Sequence, residues 1–360
     1  MSWFYRQVIR RALFQQDSES VHELTLKALA TVAHSPFLLN VLTSFYGAEP
    51  RPLRLWGLDF PNPIGLAAGM DKRAVALPAW AAMGFGFCEL GGVTWHSQSG
   101  NPRPRMFRAT RTEALINRMG FNNDGAEAFA ATLRGWHNSG LWPKHPVGVN
   151  LGKSKITPLD EAGQDYAQSL NLLWPLADFF VVNVSSPNTP NLRQLQDKSA
   201  LDEVLDAVQT VNQKHAAASS AAAKPILVKV APDLSFEALD EILELTESRN
   251  LAGIVATNTT IARPPTTDLR TRRIYEQTGG LSGRPLRDRS TEVIKHLAKN
   301  THGKLPIIGV GGVFSATDAM EKFAAGASLV QIYSGLVYQG PSLIQEIVTG
   351  LDSSEREVYY

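Results

Sequence analysis

The chain has 360 residues, 44% of them hydrophobic and 19% charged, and a formal net charge of +1. This suits a globular protein with a large core, and it leaves no global field to draw the chain to nucleic acid. The one cysteine, Cys88, lies in an apolar run, which excludes a disulfide within the chain, favours a reducing compartment and reads as a small buried hydrophobe.

Residues 1–46 stand apart from the rest. Trp3, Phe4, Tyr5, Val8, Ile9, Leu13 and Phe14 recur at helical spacing, with Arg6, Arg10 and Arg11 between them. Asp17-Ser18 supplies an N-cap for a second helical pattern, Val21, Leu24, Leu26, Ala28, Leu29 and Val32, and a third run from Pro36 to Tyr46 ends at Gly47. Amphipathic helices with aromatics and arginines suit a membrane surface, and the same pattern suits a helical cap packed on the main domain. No apolar run reaches bilayer-spanning length, and the N-terminus lacks the pattern of a signal peptide. The expected location is therefore cytoplasmic, without requiring that the chain be free in solution.

From Leu53 the rhythm changes. Leu53–Leu55 and Leu58–Phe60 flank Trp56-Gly57 as a hairpin. Eight short apolar runs follow, at 64–68, 87–90, 147–151, 179–184, 226–230, 253–257, 307–310 and 328–333, each separated by helical sequence. Near-continuous apolar strands alternating with helices mean a parallel sheet covered by helices, and eight of them favour a closed (β/α)8 TIM barrel over an open doubly wound sheet. No G-x-G-x-x-G follows the first strand, which weighs against a Rossmann domain. The expected organisation is an α/β barrel over residues 47–360 with a helical extension over residues 1–46.

Three stretches lie between the runs. Residues 95–146 hold Asn101-Pro102-Arg103-Pro104-Arg105 and Asn117 to Asn123; Ala216 to Ala223 reads as a helix end; Gly279 to Gly283 reads as a flexible loop. The most informative loop is Asn183-Val184-Ser185-Ser186-Pro187-Asn188-Thr189-Pro190. Two prolines stiffen a segment carrying amides and hydroxyls, which suits a grip on a planar polar ligand as well as a Ser/Pro/Asn turn.

In a barrel, function gathers at the C-terminal strand ends. There the chain places Gly69-Met70-Asp71-Lys72, Asn150, Asn183, Ser186, Asn188, Lys229 and Thr257-Asn258-Thr259. Lys229 interrupts Ile-Leu-Val-Lys-Val, and a buried ammonium must meet an anion or an electron-rich group, whether a structural partner or a cofactor. Gly309-Val310-Gly311-Gly312 and Ser334-Gly335 end the last two strands as a phosphate cradle. A cradle, an interior lysine and many amides point to a phosphorylated flavin. The eight histidines show no paired metal-ligand spacing.

Taken together, Ala67 to Lys72, Ile116 to Asn122, Asn183 to Pro190, Lys229 with Ala231-Pro232-Asp233, Ala256 to Thr260, Thr278 to Pro285 and Ile308 to Gly312 resemble dihydroorotate dehydrogenase over nearly the whole chain. The helical extension resembles that of the quinone-linked, membrane-associated class. The resemblance implies FMN as cofactor, dihydroorotate and orotate as substrate and product, a ubiquinone-like acceptor, and a monomer held peripherally on the cytoplasmic face of the inner membrane. It implies Ser186 as catalytic base, with Thr189 and Phe121 on a proton path. Lys72, Asn117, Asn183, Asn188 and Asn258 match residues that hold orotate, with Arg118, Met119, Gly120, Phe121 and Thr259 beside them. Ala68, Gly69, Met70, Asp71, Lys72, Asn150 and Asn183 match flavin-binding positions, as do Lys229, Thr257, Gly283, Gly312, Tyr333 and Ser334. His22, Arg108 and Tyr333 match a quinone tunnel. Gly92, also at a flavin position, departs from the pattern, since many members have threonine there. Trp3, Phe4 and Phe14 are expected to contact the membrane.

Overall fold

Runs of Val, Ile and Leu with helices between them can bury both strand faces only under a helical layer. In the computed structural model, which describes residues 2–189 and 191–357, eight such runs close into a parallel barrel. Pro190 lies outside the described residues. The strands are β1 (Leu53–Leu55), β2 (Leu58–Phe60), β3 (Ile64–Leu66), β4 (Phe87–Val93), β5 (Met106–Ala109), β6 (Ala114–Asn117), β7 (Val147–Leu151), β8 (Phe179–Asn183), β9 (Ile226–Val230), β10 (Gly253–Ala256), β11 (Gly280–Gly283), β12 (Ile307–Val310) and β13 (Leu329–Ile332). The barrel runs β3-β4-β7-β8-β9-β10-β12-β13 and returns to β3.

The period-2 alternation of side chains sorts the strands into layers. Phe87, Phe179, Val181, Leu227, Val255, Ile308 and Leu329 form one apolar cluster, while Leu90, Val182, Val228 and Val330 belong to the larger core beneath the helices. The β1–β2 hairpin packs on the first cluster at the N-terminal end: Trp56 and Phe60 lie 6.1 Å apart, Phe60 meets Phe87 at 5.6 Å, and Trp56 Nε1 donates to Ala252 O at 2.8 Å. One end is therefore sealed by aromatics, and the strands' C-terminal ends are left for chemistry.

A second sheet adds to what the sequence predicts. β5, β6 and β11 form an antiparallel three-stranded sheet in which Gly280 faces Asn117 and Gly283 faces Ala114. The reading of Gly279 to Gly283 as a flexible loop is corrected. A Cβ on Gly280 would lie 1.8 Å from Thr259 Oγ1, so a close backbone approach, not mobility, requires glycine there.

The N-terminal lobe is helical at Ser2–Phe4, π-helical at Tyr5–Ile9 and helical again at Arg10–Leu13. Helix Ser18–Ala33 is capped by Asp17, whose carboxylate accepts from Ser20 N at 2.9 Å; helix Pro36–Tyr46 is capped by Ser35. No single helix among the described residues is long and apolar enough to cross a membrane; these last two, bent by 115°, reach that length only together. Leu26, Leu29, Leu39 and Leu42 pack on the barrel's core. The outer surface keeps Trp3 (67% exposed), Phe4, Phe37 (73%), Val41 and Phe45 in the open. Phe14 is the exception to the expected membrane-facing set. It stands edge-on to Tyr338 at 5.3 Å, under the Arg108 guanidinium at 4.5 Å, and lines an internal cavity.

Candidate active site

The C-terminal strand ends open into one cleft. Ala68, Gly69, Lys72 and Gly92 line it from β3 and β4, Asn150 from β7, Asn183, Ser186 and Asn188 from β8, Lys229 from β9, and Thr257, Asn258 and Thr259 from β10. Asn117 enters from the end of β6 and Met119, Gly120 and Phe121 from the segment after it, Gly283 from β11, Gly312 from β12, and Tyr333 and Ser334 from β13.

The amides hold one another. Asn183 Nδ2 donates to Asn150 Oδ1 at 2.9 Å, Asn258 Nδ2 donates to Ser185 Oγ at 3.0 Å, and Asn188 Nδ2 donates to Asn117 Oδ1 at 3.0 Å. Tyr166 OH, from the helix behind, donates to Asn183 O at 2.9 Å. Ser186 is 8% exposed, and its Oγ accepts from Asn188 N at 3.3 Å. Thr189 Oγ1 is buried without a protein partner.

Beneath the cleft lies a polar layer of which sequence reasoning named Asn150 and Lys229 and missed Glu89 and Gln331. Glu89 is fully buried, and its carboxylate receives Asn150 Nδ2 at 2.6 Å, Gln331 Nε2 at 2.7 Å and Lys229 Nζ at 3.3 Å. The Lys229 ammonium thus has its anion within the barrel. The available signal was alternation: in Phe-Cys-Glu-Leu, residues 87 and 89 share a face, so a carboxylate points inward. Gln331 Oε1 and Thr257 Oγ1 line the same region, buried and without protein partners. Ser282, bonded to Ser334 at 2.8 Å between the two hydroxyls, also belongs to the wall.

Three predicted residues turn elsewhere. The buried Asp71 carboxylate accepts from Val75 N at 3.1 Å, Ala76 N at 2.9 Å and Trp80 Nε1 at 3.1 Å, so its oxygens cap a turn and anchor an indole away from the cleft; burial raises its pKa, against those bonds. Arg118 donates to Gln277 Oε1 at 3.1 Å and Pro104 O at 2.8 Å, outside the cleft wall. Met70 faces the second cavity.

That cavity is apolar, about 330 Å³, and lies between the N-terminal lobe and the barrel. It is within the range of small-molecule pockets. Its wall includes His22, Arg108 and Tyr333. Arg108 Nε donates to Ser18 Oγ at 2.9 Å, and Nη1 to Leu13 O at 3.2 Å. Burial, with Lys72 nearby, pushes His22 down to about 4, so it is neutral near pH 7. Burial raises Tyr333 to about 12, so it keeps its phenolic proton. Tyr333 belongs to both walls.

Lys72 donates to Asn122 Oδ1 at 2.6 Å, and its pKa falls to about 7, first through burial and then through the Arg105 charge, with Glu19 opposing. An ammonium held that close to losing its proton is suited to an anionic ligand that would restore it.

The dihydroorotate dehydrogenase family model matches residues 52–354. A dihydroorotate dehydrogenase (quinone) of Gloeobacter violaceus is 51% identical over 344 residues, 95% of this chain and 92% of that one. The chain belongs to the dihydroorotate dehydrogenase family. Its counterpart from Thermosynechococcus vestitus is 51% identical over 360 residues, with 96% of each chain covered. Among solved structures, Eimeria tenella dihydroorotate dehydrogenase in complex with ferulenol aligns with a TM-score of 0.85 at 34% identity, covering 95% of this chain and 93% of that one. This enzyme is therefore an oxidoreductase of the quinone-dependent class of dihydroorotate dehydrogenases.

Proposed function

We propose that the enzyme oxidises dihydroorotate to orotate with FMN as hydride acceptor and a membrane quinone such as ubiquinone as final acceptor, as a step of de novo pyrimidine synthesis. One observation carries the reading: Tyr333 forms part of a polar, amide-lined cleft and of an apolar cavity between the N-terminal lobe and the barrel. A hydride donor and a lipid-soluble acceptor each have a site, and one side chain separates them.

The cleft residues fit a flavin nucleotide. Thr257 Oγ1 and Gln331 Oε1 are buried acceptors awaiting partners, and Lys229 is a cation at the floor. Gly283, Gly312 and Ser334 would hold the phosphate, with Gly312 at φ +75°. Bound there, FMN would supply a two-electron acceptor for the hydride at C6 of dihydroorotate and a carrier of those electrons to the quinone.

The chain's own residues do the rest. Lys72 meets the substrate carboxylate, and Asn117, Asn183, Asn188 and Asn258 orient its ring edges. Ser186 takes the proton from C5. A serine is a weak base, so it needs exclusion of water and a relay, for which Thr189 Oγ1, buried and unpartnered, is placed on the same loop. Exposed Trp3, Phe4, Phe37, Val41 and Phe45 seat the lobe on the bilayer, and the quinone enters the cavity from the membrane. The division of labour follows the chain: residues 1–46 for membrane and quinone, and the barrel for hydride transfer, on the cytoplasmic face of the inner membrane.

The test is the visible spectrum of the purified protein. Anaerobic dihydroorotate should bleach it, and a short-chain quinone should restore it. A colourless protein, or one that dihydroorotate leaves yellow, refutes the proposal.

A further inference from the structure

Glu19 lies in the first turn of helix Ser18–Ala33, part of the N-terminal lobe, yet it is only 3% exposed. Arg105 Nε bridges both its oxygens at 3.1 Å, and Arg105 Nη2 reaches Oε1 at 2.7 Å. Arg103 Nη2 adds a second cation at 3.1 Å. The remaining side of the Arg105 fork is also used: Nη1 donates to Ser99 O at 2.6 Å and to Asn101 O at 2.8 Å. Asn101 Nδ2 then donates to Asn188 O at 3.0 Å and to Arg118 O at 2.9 Å. Asn188 N reaches Ser186 Oγ at 3.3 Å. The turn has little room to give, since Gly100 sits at φ +77°, where a Cβ would lie 2.2 Å from Met119 O and 2.8 Å from Arg105 Nη1.

Burying a carboxylate with a guanidinium gains little stability over an apolar contact of the same size, whereas a forked guanidinium fixes direction as well as distance. Apolar contacts already fasten this lobe to the barrel. The ion pair therefore has another use. We propose that Glu19, Arg105 and Asn101 are positioning residues, a strut through which the seated N-terminal lobe sets the place of the Ser186–Asn188 segment. The lobe that receives the quinone also poises the base that begins the reaction. This accounts for Asn101-Pro102-Arg103-Pro104-Arg105, a motif that touches neither cavity's reacting end. The proposal rests on the reading of Ser186 as base.

The test separates the half-reactions in full-length, flavin-loaded enzyme. Reduction by dihydroorotate is followed anaerobically by stopped flow, with no quinone present, in wild type, Glu19→Gln, Asn101→Ala and the double variant. The strut predicts that both single variants keep their flavin but lose on the order of ten- to a hundredfold in limiting reduction rate, as expected for a displaced reacting group. The double variant loses little more than either single one, because the two act in series. If Glu19→Gln does not fold, Asn101→Ala, which leaves the ion pair in place, carries the test. Wild-type reduction rates in the variants, with only quinone turnover slowed, overturn the strut alone; additive losses overturn it as well. A wild type that dihydroorotate fails to bleach overturns both the strut and the function it serves.

Discussion

Replacing Glu89 by glutamine leaves the side chain's shape and removes its charge. Three donors converge on that carboxylate in a fully buried site: Asn150 Nδ2 at 2.6 Å, Gln331 Nε2 at 2.7 Å and Lys229 Nζ at 3.3 Å. An amide has one oxygen to offer, and its NH2 faces donors, so at least one donor loses its acceptor. The Lys229 ammonium also loses its countercharge. Breaking a buried pair by removing one partner costs about 3–5 kcal/mol, and an orphaned neutral donor adds about 1–3 kcal/mol. Against a total stability of about 5–15 kcal/mol, Glu89→Gln should lower the melting temperature by on the order of 10 °C. Thermal unfolding of wild type, Glu89→Gln, Lys229→Met and the double variant reads this directly. The double variant should cost less than the sum of the single ones, because neither charge is left unmatched. A loss below about 1 kcal/mol for Glu89→Gln, or strict additivity, would show that the carboxylate does not anchor the lysine and would refute the reasoning.

Lys72 gives a pH dependence. Its folded pKa of about 7 lies below its ordinary value, so in the free enzyme the ammonium is full below pH 7 and is lost as pH rises through it. An anionic ligand favours the charged form, so orotate should bind tightest below about pH 7 and weaken toward tenfold per pH unit above it; calorimetric titration across pH checks this, and Lys72→Met should flatten the profile. A pH-independent affinity in wild type would remove Lys72 from the carboxylate site. At Gly92, a Cβ would fall 2.6 Å from the Phe121 ring and 3.0 Å from Asn150 Oδ1. Gly92→Thr should therefore push Phe121 aside, at about 1–3 kcal/mol of strain, and lower flavin content or reduction rate; unchanged values for both would mean the ring has free space.

The barrel was legible because each of its strands is a short apolar run, and the start of helix Ser18–Ala33 because Asp17 caps it as its type prefers. The cleft was legible at the strand ends and through the family resemblance. What escaped depends on partners distant in sequence. Strands β5, β6 and β11 join residues 106–117 to 280–283, and their glycines read as loop until Thr259 is seen to need the space. Asp71 follows Met70 in a motif of ligand-binding residues, but three nearby N–H groups claim its carboxylate. Glu89 passed unremarked within the run 87–90, and only barrel closure brings Lys229, from another strand, beside it. Phe14 shares its spacing with exposed Trp3, yet the turn that ends helix Arg10–Leu13 folds it under Arg108.

The base is the centre of the account, and Ser186→Ala measures it most directly. Anaerobic stopped-flow reduction by dihydroorotate should slow by about 10²- to 10⁴-fold, the usual contribution of a positioned base, while orotate still perturbs the bound flavin's spectrum at wild-type concentrations. Reduction at the wild-type rate would contradict the assignment of the proton transfer to this loop.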